Sequence, residues 1–152
     1  MTRQPFVART ACVSEDVKLG DECSVWYGAR VSGEVTVEEQ ANIQDNAVVE
    51  GPTRIGRRTT LGHNAHVFGA TIDEACLIAI AATVHPGAHI GTHSIVAANA
   101  TVPAGMQVPP NSLVIGEGRI LRQVGEQEIE RIEYGADEYV RLGREHLQTL
   151  HG

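Results

Sequence analysis

The chain has 152 residues and a formal net charge of −7, from 12 Lys and Arg against 19 Asp and Glu. That length suits one domain with a sizeable core, and an acidic balance without any basic run argues against nucleic acid as a partner. Aromatic residues make up only 4%, so the core must be aliphatic. The first residues, Met-Thr-Arg-Gln-Pro-Phe-Val, contain no apolar signal core, which makes the cytoplasm the expected compartment.

From Val7 onward one aliphatic residue recurs every six positions: Val7, Val13, Leu19, Val25, Val31, Val37, Ile43, Val49, Ile55, Leu61 and Val67. After a single five-residue step the series resumes at Ile72 and runs through Ile78, Val84, Ile90, Val96, Val102 and Val108 to Val114. All nineteen slots are filled, although Val, Ile and Leu together number only 36 of the 152 residues. Two positions before most of these aliphatics sits a compact residue, such as Ala29, Ala47, Ala65, Cys76, Ala82 or Ala100. A helix repeats every 3.6 residues and a half-buried strand every two, so neither gives a strict six. Hexapeptide repeats build parallel β-helices, in which short strands form flat faces and residues one coil apart stack about 4.8 Å apart. Glycine follows the aliphatic at Gly20, Gly56, Gly62 and Gly91, as a tight corner favours.

Between Ala75 and Gly116 there is no Asp, Glu, Lys or Arg, yet Gly, Pro, His and Asn interrupt the stretch too often for a membrane span. Its neutrality implies a cover, either the C-terminal segment or a neighbouring subunit. After Gly116 the pattern changes. From about Glu126, apolar residues at Ile129, Ile132, Ala136, Tyr139 or Val140, Gly143, Leu147 and Leu150 mark an amphipathic helix expected to lie on the solenoid. Gly135 and Gly143 each cost such a helix about 1 kcal/mol, which implies a close approach to another surface or a break near Gly135. The chain is therefore expected to be an all-β solenoid over residues 1–116 with a helical segment of the same domain over 117–152. Cys23 and Cys76 occupy the compact inward slot and Cys12 has no partner at metal-like spacing, so all three read as structural thiols of a reducing compartment.

Fixing the six-residue phase sorts the outer side chains into columns. One edge carries Ser14, Ser32, Glu50, Phe68, His85 and Pro103; another carries Tyr27, Asp45 and His63. Here the segment Ile43-Gln44-Asp45-Asn46-Ala47-Val48-Val49, followed by Leu61-Gly62-His63-Asn64-Ala65, resembles the γ-class carbonic anhydrases. The resemblance extends to Val25-Trp26-Tyr27-Gly28-Ala29 and Ser112-Leu113-Val114-Ile115-Gly116, and so covers nearly the whole chain. It implies a left-handed β-helix that forms a homotrimer with active sites between subunits. In that family three histidines hold a zinc, two from one edge column of one subunit and the third from its neighbour. Such a site turns bound water into hydroxide near neutral pH.

Residue by residue, the first of those histidines falls at Glu50, the second at His63 and the third at Phe68. The arginine expected across the interface is Ser32, the acid two places on is Glu34, and the Gly-Met-Gly-Ala run of the family reads Ala79-Ile80-Ala81-Ala82. Gln44 and Asp45 survive, and the resemblance gives them a catalytic place. The bland readings stand beside these. Glu50 serves as a solvated or interfacial carboxylate, Phe68 as apolar filling of a cleft, His63 as a hydrogen-bonded interface imidazole, and Gln44 with Asp45 as partners for corner backbone groups.

Three functions compete at this point. The first is a homotrimeric γ-carbonic-anhydrase-like protein with a degraded zinc site and no resident cofactor, acting in binding or larger assembly. The second is a metalloenzyme whose remodelled site holds zinc through Glu50 and the neighbouring subunit's His63. The third is a hexapeptide-repeat acyltransferase using a histidine as general base; such enzymes extrude an acceptor loop, and this chain has no insertion. His66 falls at a different phase from His63. His85, His89 and His93 occupy three different phases and do not converge.

Overall fold

The computed structural model describes residues 3–151, with side chains described to Thr149. The six-residue repeat winds into about six coils of short strands, and successive strands fall in turn on three sheets. The first sheet holds Phe6–Val7, Ser24–Val25, Asn42–Ile43, Thr60–Leu61, Leu77–Ile78, Ile95–Val96 and Ser112–Ile115. The second runs from Cys12–Val13 through Arg30–Ser32, Val48–Glu50, His66–Phe68 and Thr83–Val84 to Thr101–Val102. The third runs from Lys18–Leu19 to Gln107–Val108. All pairs between coils are parallel, and the register follows the repeat: Leu61 pairs with Ile43 eighteen residues back and with Ile78 seventeen residues on. The inward column of the first sheet, Val25, Ile43, Leu61, Ile78, Val96 and Val114, is fully buried. The solenoid of hexapeptide repeats with a helix packed on it is thus what the chain forms.

The corners turn by a device that the repeat does not announce. Three residues after most inward aliphatics the backbone enters the left-handed region, with φ near +60° at Asn46, Asn64, Asn99 and Asn111 and also at residues such as Gln40, Arg58 and Ala81. Asparagine accepts that conformation better than most residues because its short side chain bonds locally. The glycines that follow the aliphatics have a different cause from the one expected. Gly56 and Gly91 lie outside the left-handed region, but a Cβ there would meet the next coil's backbone, at 2.4 Å from Asp73 C and 2.5 Å from Pro110 N. They permit coils to stack rather than corners to turn.

The C-terminal helix, Glu126–His151, is unbroken and runs back along the first sheet. Its upper half buries Ile132 with Ala75, Ile95, Leu113 and Val124, so the uncharged upper coils find part of their cover here. Its lower half meets Phe6, Ala8 and Trp26 through Tyr139, Leu142 and Leu147. Gly143 sits where a Cβ would lie 3.5 Å from Phe6 Cβ and 3.7 Å from Ser24 Cβ, which is the expected close approach. Gly135 has open space around it, and neither break nor contact accounts for it. Leu150, also expected on the packed face, lies outside the residues whose side chains are described. Arg58, only 12% exposed, ties the helix to the solenoid through Glu133 at 2.9 Å and Asp137 at 2.7 Å.

One element was not anticipated. Within the segment expected to be helical, Arg119–Gln123 forms an antiparallel strand on Ser112–Ile115. All five of its residues are exposed, so Arg-Ile-Leu-Arg-Gln gives no alternation to read. The helix then begins at a fixed point: the Gly125 amide donates to Glu128 at 2.9 Å, and Arg122 donates to both oxygens of that carboxylate at 2.7 and 3.0 Å. The Arg122 guanidinium first, and the Gly125 amide second, hold the Glu128 carboxyl down to about 2, against 4.5 ordinarily. Because the folded value is the depressed one, this contribution is complete above about pH 4.5 and is lost as pH falls through about 2. The Gly125 amide proton signal is expected to titrate in that window, and the step is expected to vanish in Glu128→Gln.

Candidate functional site

The parallel register puts Ser32, Glu50 and Phe68 in one ladder, each the Cα partner of the next, at the far edge of the second sheet. His85 follows one rung beyond Phe68. Glu50 is exposed and makes no ion pair among the described residues, and Phe68 is half-buried. His66 stands two residues before Phe68 on the same strand, so the two share a face. Their rings meet edge to face at a centroid distance of 5.6 Å. His66 and His63 fall at different phases, and phase alone does not show this pairing, which a two-residue spacing on a strand could have revealed.

His63 lies at the opposite edge, in the turn between the first and second sheets. Its Nδ1 is buried with no hydrogen-bond partner among the described residues. The corner at Asn64 and the width of strand His66–Phe68 separate it from Phe68. Within one chain, His63 therefore does not meet Glu50 or Phe68, and among the described residues no three His, Cys, Asp or Glu side chains of the chain gather as a metal-holding group.

Gln44 is buried and bound: its amide donates to Asn42 Oδ1 at 3.0 Å, and Asn42 donates to Thr60 Oγ1 at 2.9 Å. Asp45 next to it is half-buried, and its backbone carbonyl accepts the Asn64 amide at 3.0 Å. Burial, and then the Asp45 charge, raise the phenol of Tyr139 on the helix. Trp26 is a packing residue, in contact with Phe6, Tyr139 and His146 at centroid distances of 4.8, 5.4 and 4.9 Å. Beside this edge Tyr27 and Ile80 are 38% and 52% exposed, large apolar groups flanking the second sheet. The other histidines disperse as their phases require. His89 bonds Asp73 at 2.9 Å on the third sheet, and His93 stands 4.0 Å from Glu133 of the helix.

No protein-family model matches the chain. A probable carbonic anhydrase of Methanocaldococcus jannaschii is 40% identical over 90% of this chain and 91% of its own length. The chain belongs to the γ-carbonic anhydrase family. The mitochondrial γ-carbonic anhydrase 1 of Arabidopsis thaliana is 34% identical over 95% of the chain, but the chain spans only 58% of that relative's length. Among solved structures, a hexapeptide transferase family protein from Anaplasma phagocytophilum superposes with a TM-score of 0.81 at 29% identity, over 92% of this chain and 91% of its own. At the positions where the resemblance expects the zinc ligands, the residues present do not fit a three-donor set. A phenyl ring has no lone pair, so Phe68 leaves one carboxylate and one imidazole where a γ-carbonic anhydrase zinc needs three protein donors.

Proposed function

We propose that this γ-carbonic anhydrase family member is a homotrimer whose inter-subunit zinc position has been dismantled, and that it acts by binding or assembly rather than by hydrating CO2. The observation that supports this reading is the ladder Ser32, Glu50, Phe68, whose register sets a carboxylate and a phenyl ring side by side on one edge, where the proposed trimer would bring a neighbour. Separation of His63 from that ladder within one chain supports a shared site between copies. The exposed Tyr27 and Ile80 supply apolar surface for such a contact. The remaining chemistry, Gln44 and Asp45, has structural work: Gln44 in a buried hydrogen-bond chain, Asp45 under the helix. Free Cys12, Cys23 and Cys76, with burial pushing the last two thiols up to about 12, suit a reducing compartment such as the cytoplasm.

The test is direct. Protein purified with added zinc and dialysed is expected to retain far less than one ion per chain and to leave CO2 hydration at the uncatalysed rate. Near-stoichiometric zinc with fast turnover would falsify the reading.

A second reading is favoured by one observation, the Nδ1 of His63 that has no hydrogen-bond partner among the described residues. With Glu50 of the adjacent copy it would hold a divalent ion through two protein donors and water. That version requires His63→Ala to abolish metal uptake; unchanged metal content rejects it. Acyl transfer has less support, since no coil extrudes an acceptor loop. A thermal shift with acetyl-CoA would revive it.

A further inference from the structure

The two ends of the solenoid are finished differently. At the C-terminal end the last inward residues, Val102, Val108 and Val114, are at most 4% exposed. The turn at Gly118 packs so closely on Pro103 and Met106 that a Cβ there would lie 2.6 Å from Pro103 Cδ. At the N-terminal end the strands Phe6–Val7, Cys12–Val13 and Lys18–Leu19 each pair on one side only. Their inward residues are the only ones of the nineteen left partly open among the described residues: Val7 is 38% exposed, and Val13 and Leu19 are half-buried. A coil end open among the described residues presents free backbone groups beside apolar side chains, which is a template for further pairing.

The rim says what fits there. The three corners of the first coil carry Arg9, then Glu15 with Asp16, then Asp21 and Glu22, the latter paired with Arg3 at 3.5 Å. A two-fold axis through the open edge of the second sheet, perpendicular to the solenoid, exchanges the first two corners. It sets Arg9 of one copy against Glu15 and Asp16 of the other, while at the third corner Arg3 is already paired with Glu22 of its own chain. The rim is self-complementary in charge at the two corners that the axis exchanges.

We propose that this end docks head to head on the same end of a second copy. Size decides the stoichiometry. Six residues at about 3.3 Å bound each face at about 20 Å, so one triangular end offers roughly 170 Å². Two facing ends bury roughly 350 Å², well below the approximately 1,000 Å² that a specific contact needs. Three pairs acting together reach it. The pairing therefore rests on the trimer reading: cyclic symmetry puts three equivalent ends at one height, and two trimers meet as a hexamer that dissociates on dilution.

Sedimentation velocity and native mass spectrometry on the full chain, from about 1 to 200 µM at low salt, test this. The expected result is a doubling of mass from three to six chains with rising concentration. Val7→Lys and, separately, Arg9→Glu are expected to leave only the three-chain species. Combining Arg9→Glu with Glu15→Arg and Asp16→Arg is expected to restore the doubling. A three-chain species that never doubles, or doubling that survives both single variants, overturns the end contact and leaves the trimer standing. A two-chain species lost in Val7→Lys upholds the end contact and overturns the trimer. A chain that stays single overturns both.

Discussion

Changing Glu50 and Phe68 together to histidine is expected to give a protein that keeps roughly one zinc per chain through dialysis. The substitutions are not equivalent one at a time. Phe68→His alone leaves Glu50 in place, so two imidazoles and a carboxylate would face each other across two copies, a donor set known to hold zinc. Glu50→His alone still leaves the phenyl ring, and only two donors. Metal retention is thus expected in the order double variant, then Phe68→His, then Glu50→His at the level of the unaltered chain. Losing even an outer-shell partner of a metal site costs about 10- to 100-fold in affinity, so gaining an inner ligand is worth roughly 100-fold or more. Elemental analysis and competition with a chelator read the order. Equal retention by the two single variants would mean that Glu50 and Phe68 do not share the ladder facing His63, and the register of the site would be wrong.

Leu61→Ala is expected to be the most damaging small change in the solenoid. Leu61 is fully buried between Ile43 and Ile78 of the adjoining coils. Backbone ladders hold the coils at a fixed spacing, so the column cannot close over the missing atoms. Leu-to-Ala losses run from about 2 to 5 kcal/mol according to how far a site collapses, and a stacked column belongs near the top. Against a total of about 5–15 kcal/mol that is a large share. Tyr134→Ala, at a helix position 67% exposed, is the control and should change stability by less than about 0.5 kcal/mol. Urea denaturation compares them at one protein concentration, because subunit association adds to stability. A Leu61→Ala loss as small as that of Tyr134→Ala would show that the column relaxes freely.

The repeat was legible because it is local and redundant. Nineteen aliphatics at one phase fix both which side chains face inward and which outer residues share a column, so the ladder Ser32, Glu50, Phe68 follows from counting alone. The helix from Glu126 was legible for the same reason, through three-four spacing. The strand Arg119–Gln123 was not, because its exposed residues carry no alternation. Nor was the engagement of Gln44, which depends on Asn42 and Thr60 arriving from the same strand and from the next coil.

What the sequence by itself determined was the winding, the inward set and the identity of the residues on each edge, since a period of six leaves one phase that turns all nineteen aliphatics inward. Only the tertiary structure decided how far apart those edges stand, which glycines make room for a neighbouring coil, and which end of the solenoid is sealed. Those depend on distances between segments remote in the chain, and a one-dimensional pattern carries phase without distance.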